Sequence, residues 1–149
     1  MWRLLFYRSQ HSPGAKTISI QHFPNNARFV EPTLSQQFTD DLKDKFVSQT
    51  DLTLVNNNGD LQLDGEITGY TVNPVAITGD QTAALNRLEI TVRVRYTNTL
   101  EESKDFDQKF SRYEDFPSTE NQSSVQQGLI EQINKMLVED IFNKAVVNW

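Results

Sequence analysis

The sequence predicts an α+β fold in which two helices pack on one face of a mixed, mostly antiparallel sheet of four or five strands. Two segments repeat apolar residues every three or four positions, as amphipathic helices do, and several others alternate apolar and polar residues, as half-buried strands do. Their order along the chain is strand, helix, a succession of strands, and helix, which is typical of α+β domains. The length of 149 residues suits one domain with a two-layer core.

The first predicted strand spans about residues 16–22, where Ile18 and Ile20 alternate with polar residues. The following Phe-Pro-Asn-Asn at residues 23–26 ends this strand, because proline lacks the N–H group that a ladder uses and asparagine favours turns. Since a helix follows before the next strand, we expect this strand to make one parallel pair within the sheet.

The first predicted helix runs from about Thr33 to Ser48. Thr33 and Gln36 fit a capping box, in which the threonine hydroxyl accepts a backbone N–H and the glutamine side chain reaches back. Apolar residues then follow at a spacing of four, which places them on one helix face. They are Leu34, Phe38, Leu42 and Phe46.

A short strand at about residues 52–55 precedes the turn sequence Asn-Asn-Asn-Gly-Asp at residues 56–60. Asn-Gly supplies the positive φ angles of a tight turn, so the sequence predicts a hairpin between this strand and the next. The next strand begins at Leu61, and its apolar pattern shifts register farther along. We therefore expect a β-bulge near Gly65 or Gly69.

The clearest strand pattern lies at residues 88–97, where five apolar residues alternate strictly with five polar ones. One face of this strand should pack on the core, and the other should meet water or a partner. After a polar turn at residues 100–103, a further strand is predicted to about Tyr113.

The second predicted helix begins with a capping box at Ser124 and extends to about Lys144 or beyond. Its apolar residues again recur every four positions, and they are Val125, Leu129, Ile133, Leu137 and Ile141. Gly128 interrupts the helix at a cost of about 1 kcal/mol relative to alanine. We therefore expect Gly128 to lie at a close contact with the sheet.

Composition excludes several function classes. The net charge of −6 and the pI of about 4.8 argue against general binding of nucleic acid. The sequence contains no cysteine, which removes disulfides, thiolate chemistry, thiolate zinc sites and a lipid-accepting cysteine. No apolar run approaches the roughly 20 residues that cross a bilayer.

Residues 1–12 are interpreted as an irregular lead or a remnant of protein expression, and residues 13–149 as a single domain. The apolar run near Met1 is too short for the h-region of a signal peptide, and no small-residue cleavage site follows it. The chain is therefore expected to be either cytoplasmic or a mature, processed form.

The sequence offers no catalytic residues, no metal site and no cofactor motif. Histidine occurs only as His11, in the lead segment, and His22, at a strand end. No Gly-rich phosphate loop follows a strand, and no nucleophile–base pair is apparent. Carboxylates are abundant, but they cluster at predicted turns, where solvation explains them.

Positive charges on the central strand form a candidate binding site. Arg93 and Arg95 are two residues apart, so their side chains point to the same polar face. If the next strand pairs as expected, Lys109 joins them in a basic strip, with Arg87 and Arg112 nearby. The arginine fork suits phosphate and carboxylate groups. Arg93, Arg95 and Lys109 are therefore candidate anion-binding residues.

The alternative is an exposed face whose charges serve solubility or form cross-strand pairs. Glu89 and Asp107 are the carboxylates placed to make such pairs. The residue pattern alone leaves both interpretations open.

Several stretches form a distinctive series, although none is a catalytic signature. They are PGAKTISI (13–20), FPNNA (23–27), PTLS (32–35), GEITGY (65–70), PVAITG (74–79), AALNRL (83–88) and VEDIFNKAVVNW (138–149). As a series over residues 13–149, they resemble the LptE family of lipopolysaccharide-assembly lipoproteins. The three cationic candidates rest on the strand pattern and not on this resemblance.

The resemblance implies a non-enzymatic outer-membrane lipoprotein of Gram-negative bacteria that faces the periplasm. It implies a protein that plugs the lumen of the LptD β-barrel, assists assembly of that barrel and contacts lipopolysaccharide during export. The family's mature proteins begin with a lipidated cysteine after a signal peptide, and residues 1–12 contain neither.

Two other function classes compete with this one. The first is a structural adaptor or pilot lipoprotein of another envelope or secretion complex, with no lipid binding. The second is an enzyme, which the missing chemistry makes the least favoured.

Overall fold

The computed structural model describes residues 14–28, 31–75 and 84–147, and it confirms the α+β fold. The lead segment at residues 1–12 lies outside the described residues. The strands and helices are β1 (Thr17–Ile20), α1 (Leu34–Gln49), β2 (Thr53–Val55), β3 (Leu61–Val75), β4 (Leu85–Asn98), β5 (Phe106–Pro117) and α2 (Gln122–Phe142). A 3-10 turn at Glu102–Lys104 precedes β5, and a π-helical turn at Asn143–Val147 continues α2.

The five strands form one mixed sheet in the order β2-β1-β3-β4-β5. β1 runs parallel to both of its neighbours, whereas β3, β4 and β5 form an antiparallel meander. The expected parallel pairing of the first strand is thus confirmed, but the strand makes two parallel pairs and not one. The expected hairpin between β2 and β3 is wrong, because β1 lies between those two strands.

The Asn-Gly turn instead crosses over β1. Asn58 has a φ of 56°, as the local sequence suggests. Gly59 then lies directly against β1, where its N–H donates to Ser19 Oγ at 3.2 Å. A Cβ on Gly59 would be 2.6 Å from the backbone nitrogen of Ser19, so only glycine fits there. The local turn signal was sound, but it could not show which strands the turn connects.

The β3–β4 pair contains the predicted bulge. The register shifts between Ile67 and Gly69, which confirms the bulge at the second of the two expected positions. Gly65 marks a close approach of β3 to β4. A Cβ on Gly65 would be 2.0 Å from the carbonyl oxygen of Arg93 and 2.8 Å from the Phe23 ring.

Both helices cover one face of the sheet, which we call the helix face. Apolar side chains from the sheet and from the helices form a single buried cluster there, because each element presents its apolar stripe to the others. Ring contacts tie the layers together. Phe23 meets Phe38 at 5.2 Å between ring centroids, and Phe46 meets Phe142 at 5.1 Å.

The helix starts differ from the predicted capping boxes. The Thr33 side chain makes no capping bond to α1, and its hydroxyl donates instead to the Glu31 carboxylate at 3.2 Å. α2 starts before the predicted Ser124. Asn121 caps it by accepting the Ser123 N–H at 3.0 Å. Asparagine is as good a cap as serine, so the sequence alone could not distinguish Asn121 from Ser124 as the N-cap.

The second helix stripe is buried along most of its length but not at its start. Ile133, Leu137 and Ile141 are fully buried, whereas Val125 and Leu129 are only partly buried. The expectation that Gly128 makes a close contact is wrong. Gly128 is exposed, and a Cβ there would have no neighbouring atom within 4 Å.

Among the helices in the described part of the chain, none is both long enough and apolar enough to cross a membrane.

Candidate binding surface

The sheet face opposite the helices, which we call the open face, carries the polar residues of β3, β4 and β5. Alternation along each strand puts them there, and it is clearest on β4, where the intervening residues 88–98 are buried. The strand register places Arg93 opposite Lys109 and Arg95 opposite Asp107. The three predicted cationic residues therefore share one face, as the sequence suggested.

Both arginines form ion pairs with carboxylates on neighbouring strands. Arg93 donates two hydrogen bonds to Asp107, at 2.9 and 2.7 Å, and Arg95 Nε donates to Asp64 at 2.9 Å. The hydrogen bonds from Arg93 lower the pKa of Asp107 and raise the pKa of the Arg93 guanidinium. The ion pair between Arg93 and Asp107 is one of the cross-strand pairs that the sequence analysis gave as the alternative to anion binding.

The rest of the expected basic strip is mixed in charge. Arg87 donates two hydrogen bonds to Asp115 and stacks on Tyr113, with its guanidinium carbon 3.8 Å from the ring centroid. Arg112 does not belong to the strip, because it points to the helix face. There it forms a two-bond ion pair with Asp140 of α2 at 2.7 and 2.9 Å.

Lys109 differs from the two arginines. Its side chain is exposed, and it makes no ion pair or hydrogen bond with any residue in the described ranges. An anionic ligand would not have to displace an internal carboxylate to reach its ammonium group. Lys109 is therefore the most available of the three predicted cations.

Two shallow cavities follow the outer edge of β5. The first has a volume of about 480 Å³, and residues 108–112 line it together with Asp140, Asn143 and Lys144. The second has a volume of about 450 Å³ and is lined by residues 111–115. The two cavities share Ser111 and Arg112 in their linings, and we call them together the β5 groove. Sequence reasoning missed this groove, because it depends on β5 being the last strand of the sheet.

The structure brings His22 close to a serine, but not in a catalytic arrangement. His22 Nε2 lies 2.8 Å from Ser35 Oγ. The Ser35 hydroxyl itself donates to the carbonyl oxygen of Phe23, so the histidine must donate to the serine rather than accept its proton. These contacts tie the end of the β1 segment to the start of α1. His11 lies outside the described residues.

A third cavity, of about 480 Å³, lies between the outer sides of α1 and α2. Its charges are mixed, and Lys45 pairs with Glu139 across it at 2.6 Å. Burial, followed by the nearby carboxylates of Asp44, Asp40 and Glu131, raises the pKa of Asp41. Within the described residues, no group of three or more histidine or acidic side chains is placed to hold a metal ion.

These features define a class: a small α+β domain with one buried sheet face and one charged, exposed sheet face. The chain belongs to the LptE family, described as lipopolysaccharide-assembly, whose family model matches residues 15–145. This match confirms the resemblance and supports a role in lipopolysaccharide assembly. LptE is a family of non-enzymatic lipoproteins.

Solved structures share the fold at low sequence identity. An uncharacterized lipoprotein B from Nitrosomonas europaea aligns with a TM-score of 0.57 and 13% identity, covering 91% of this chain and 84% of that one. A hypothetical protein from Chlamydia trachomatis aligns with a TM-score of 0.61 and 10% identity, over 89% and 98% of the two chains. Among curated proteins, none is similar enough in sequence to match this chain.

Proposed function

We propose that this protein is a non-enzymatic component of the outer-membrane machinery that exports lipopolysaccharide. In this proposal it plugs the lumen of the LptD β-barrel, assists assembly of that barrel, and works on the periplasmic side of the outer membrane. The observation that carries the proposal is the family match over residues 15–145. The fold supports it, because a rigid two-layer domain with one charged face suits a plug that packs against another protein.

A pull-down from outer membranes tests the barrel partner. We expect LptD in the eluate when the tagged chain is used as bait. The competing function is that of an adaptor or pilot lipoprotein in another envelope complex without lipid binding. Recovery of a different barrel or a secretin, with no LptD, would favour that adaptor function and contradict the proposal.

We also propose that the open face contacts the phosphate groups of lipopolysaccharide through Arg93, Arg95 and Lys109. Arginine and lysine bind phosphate by charge-assisted hydrogen bonds, and the open face leaves all three side chains exposed. To bind phosphate through both guanidinium edges, each arginine would have to exchange its carboxylate partner for the ligand. The contact should therefore be weak, and it should weaken further as salt screens it.

A lipopolysaccharide titration tests this contact. We expect Lys109→Ala to weaken binding about two- to tenfold, which corresponds to about 0.4–1.4 kcal/mol. The double variant Arg93→Ala/Arg95→Ala should weaken it by a similar or smaller factor. Lys43→Ala on α1 is the matched control, since it removes the same charge from the other layer. Equal losses in the variants and the control would indicate a diffuse field instead of a site.

A further inference from the structure

The outer edge of β5 is a long, regular strand edge. β5 is the last strand of the sheet, and it pairs only with β4. Its register runs without a bulge from Tyr96↔Phe106 to Leu85↔Pro117. The opposite side of the sheet offers β2, which has only 3 residues, and the part of β3 beyond Ile67, which pairs only with β4 in the described residues and contains Pro74. β5 is therefore the longest edge of the described sheet that contains neither a bulge nor an internal proline.

The direction of the free backbone groups follows from the pairing with β4. Ser118 N–H donates to the Ala84 carbonyl at 3.0 Å, so the backbone groups of Ser118 point towards β4. In an antiparallel pair this direction alternates along the strand. The residues of β5 whose N–H and C=O groups point outwards are Asp107, Lys109, Ser111, Tyr113 and Asp115. None of these groups has a backbone partner among the described residues.

Proline placement agrees with this assignment. Pro117 falls on the outward-pointing positions, where its missing N–H costs no bond to β4. Positions 107–115 contain neither a proline nor a bulge, which are two devices that protect strand edges. Charged side chains, a third device, are present on β5. They discourage indiscriminate pairing but leave the backbone groups accessible.

The β5 groove gives the edge a chemical polarity. One end carries Lys109, Lys144 and the ion pair between Arg112 and Asp140, and neither lysine has an ion-pair partner in the described residues. Lys144 Nζ lies 5.9 Å from the centre of the Phe106 ring. The other end carries Glu114 and Asp115, and Asp115 pairs with Arg87. A segment that lies along this groove should therefore place a carboxylate near Lys109 and Lys144.

We propose that the free edge of β5 accepts an extended segment of the LptD barrel protein as an added strand. This inference rests on the proposed function, which supplies the partner. Strand addition uses backbone hydrogen bonds for affinity and flanking side chains for specificity. Because the strands of a closed barrel are already paired on both edges, the segment lies outside that ladder, in a lumenal loop or a terminal region, and carries the complementary carboxylate.

Hydrogen–deuterium exchange resolved by residue tests the added strand. In the free chain, the outward amides of Lys109, Ser111 and Tyr113 should exchange quickly, while the amides between them are protected by β4. In the complex with LptD, the outward amides should exchange at least tenfold more slowly. A complex in which they stay unprotected would overturn the inference while leaving the barrel partnership intact.

A matched pair of variants provides a second test. Ser111→Pro removes one outward N–H together with the serine hydroxyl, which donates to Glu89 at 3.1 Å. Ser111→Ala removes only the hydroxyl. We expect Ser111→Pro to weaken binding to LptD at least tenfold, and Ser111→Ala to bind like the wild type. Equal binding by folded Ser111→Pro and Ser111→Ala would overturn the inference, and the exchange test does not depend on either variant folding.

Two further outcomes are decisive. If the chain alone forms a dimer that protects the same outward amides, the occupant is a second copy of this chain and the proposal is wrong. If the wild type does not bind LptD at all, the proposed function fails, and this inference fails with it.

Discussion

The two faces of the sheet use the same strands for different purposes. On the helix face, residues such as Ile90, Val92 and Val94 are fully buried, and their neighbours on β3 and in both helices complete one apolar cluster. On the open face, the alternate residues Arg93 and Arg95 are exposed and form ion pairs across the strands. Surface ion pairs contribute little to stability. The helix face therefore stabilises the fold, and the open face contributes little to that stability.

Removing a large side chain from the helix face should have the largest effect. Phe38 is fully buried and contacts the Phe23 ring. We expect Phe38→Ala to lower the free energy of unfolding by about 3–5 kcal/mol, because it loses transfer energy and leaves a cavity. Denaturant unfolding measures the change. Thr97→Ala on the open face is the control, and a similar loss there would erase the distinction between the two faces.

Gly59 tests the contact between the crossover and β1. A Cβ there would meet the backbone of Ser19 and Ile18 at 2.6 and 2.8 Å. We expect Gly59→Ala to cost about 1–3 kcal/mol by overpacking, measured in the same unfolding experiment. Asn57→Ala changes an exposed residue of the same turn as a comparison. A neutral Gly59→Ala would mean that the crossover does not lie against β1.

Gly128 should give a change of the opposite sign. It lies in an exposed turn of α2 with open space around it. We expect Gly128→Ala to raise the free energy of unfolding by up to about 1 kcal/mol, because alanine favours the helix and restricts the unfolded chain. Thermal unfolding can measure this gain. A loss of stability would show that the position is packed after all.

The ion pair between Arg93 and Asp107 should show the smallest effect on stability. Because Arg93 lowers the pKa of Asp107 in the folded state, the pair stabilises the fold above the pKa of the unfolded carboxyl. That contribution is lost as the pH falls through the folded pKa. NMR titration should show the pKa of Asp107 rising in Arg93→Gln. An unchanged pKa would mean that the two side chains do not pair in solution.

The sequence predicted the features that depend on periodicity within one element. Both helices, the strict alternation of β4 and the bulge before Gly69 follow from spacing alone, and the family follows from a series of short stretches. It failed where the outcome depends on which elements meet. The Asn-Gly turn fits both a hairpin and a crossover, and only the position of β1 distinguishes them. Periodicity also could not show that Gly128 has open space around it, because that depends on what packs against this part of α2.

The sequence predicted only the part of the candidate site that depends on alternation within a strand or hairpin. Alternation placed Arg93, Arg95 and Lys109 on one face, because they share a strand or pair across a hairpin. The Asp64 partner of Arg95 comes from β3, whose register is set by the bulge, so the sequence could not assign that pair. The β5 groove required the full strand order. Neither the pair between Arg95 and Asp64 nor the β5 groove can be predicted from the residue pattern of a single segment.

The most direct test of the account is to compare cross-linking from the two layers in cells that assemble LptD. Photoreactive residues would replace Thr97 on the open face and Tyr113 beside the β5 groove, with Asp44 on the exposed side of α1 as the comparison. If the open face and the β5 edge bind LptD, adducts with LptD from Thr97 and Tyr113 should be much stronger than any from Asp44. Adducts from Asp44 alone would contradict it, because the helix layer would then be the binding surface.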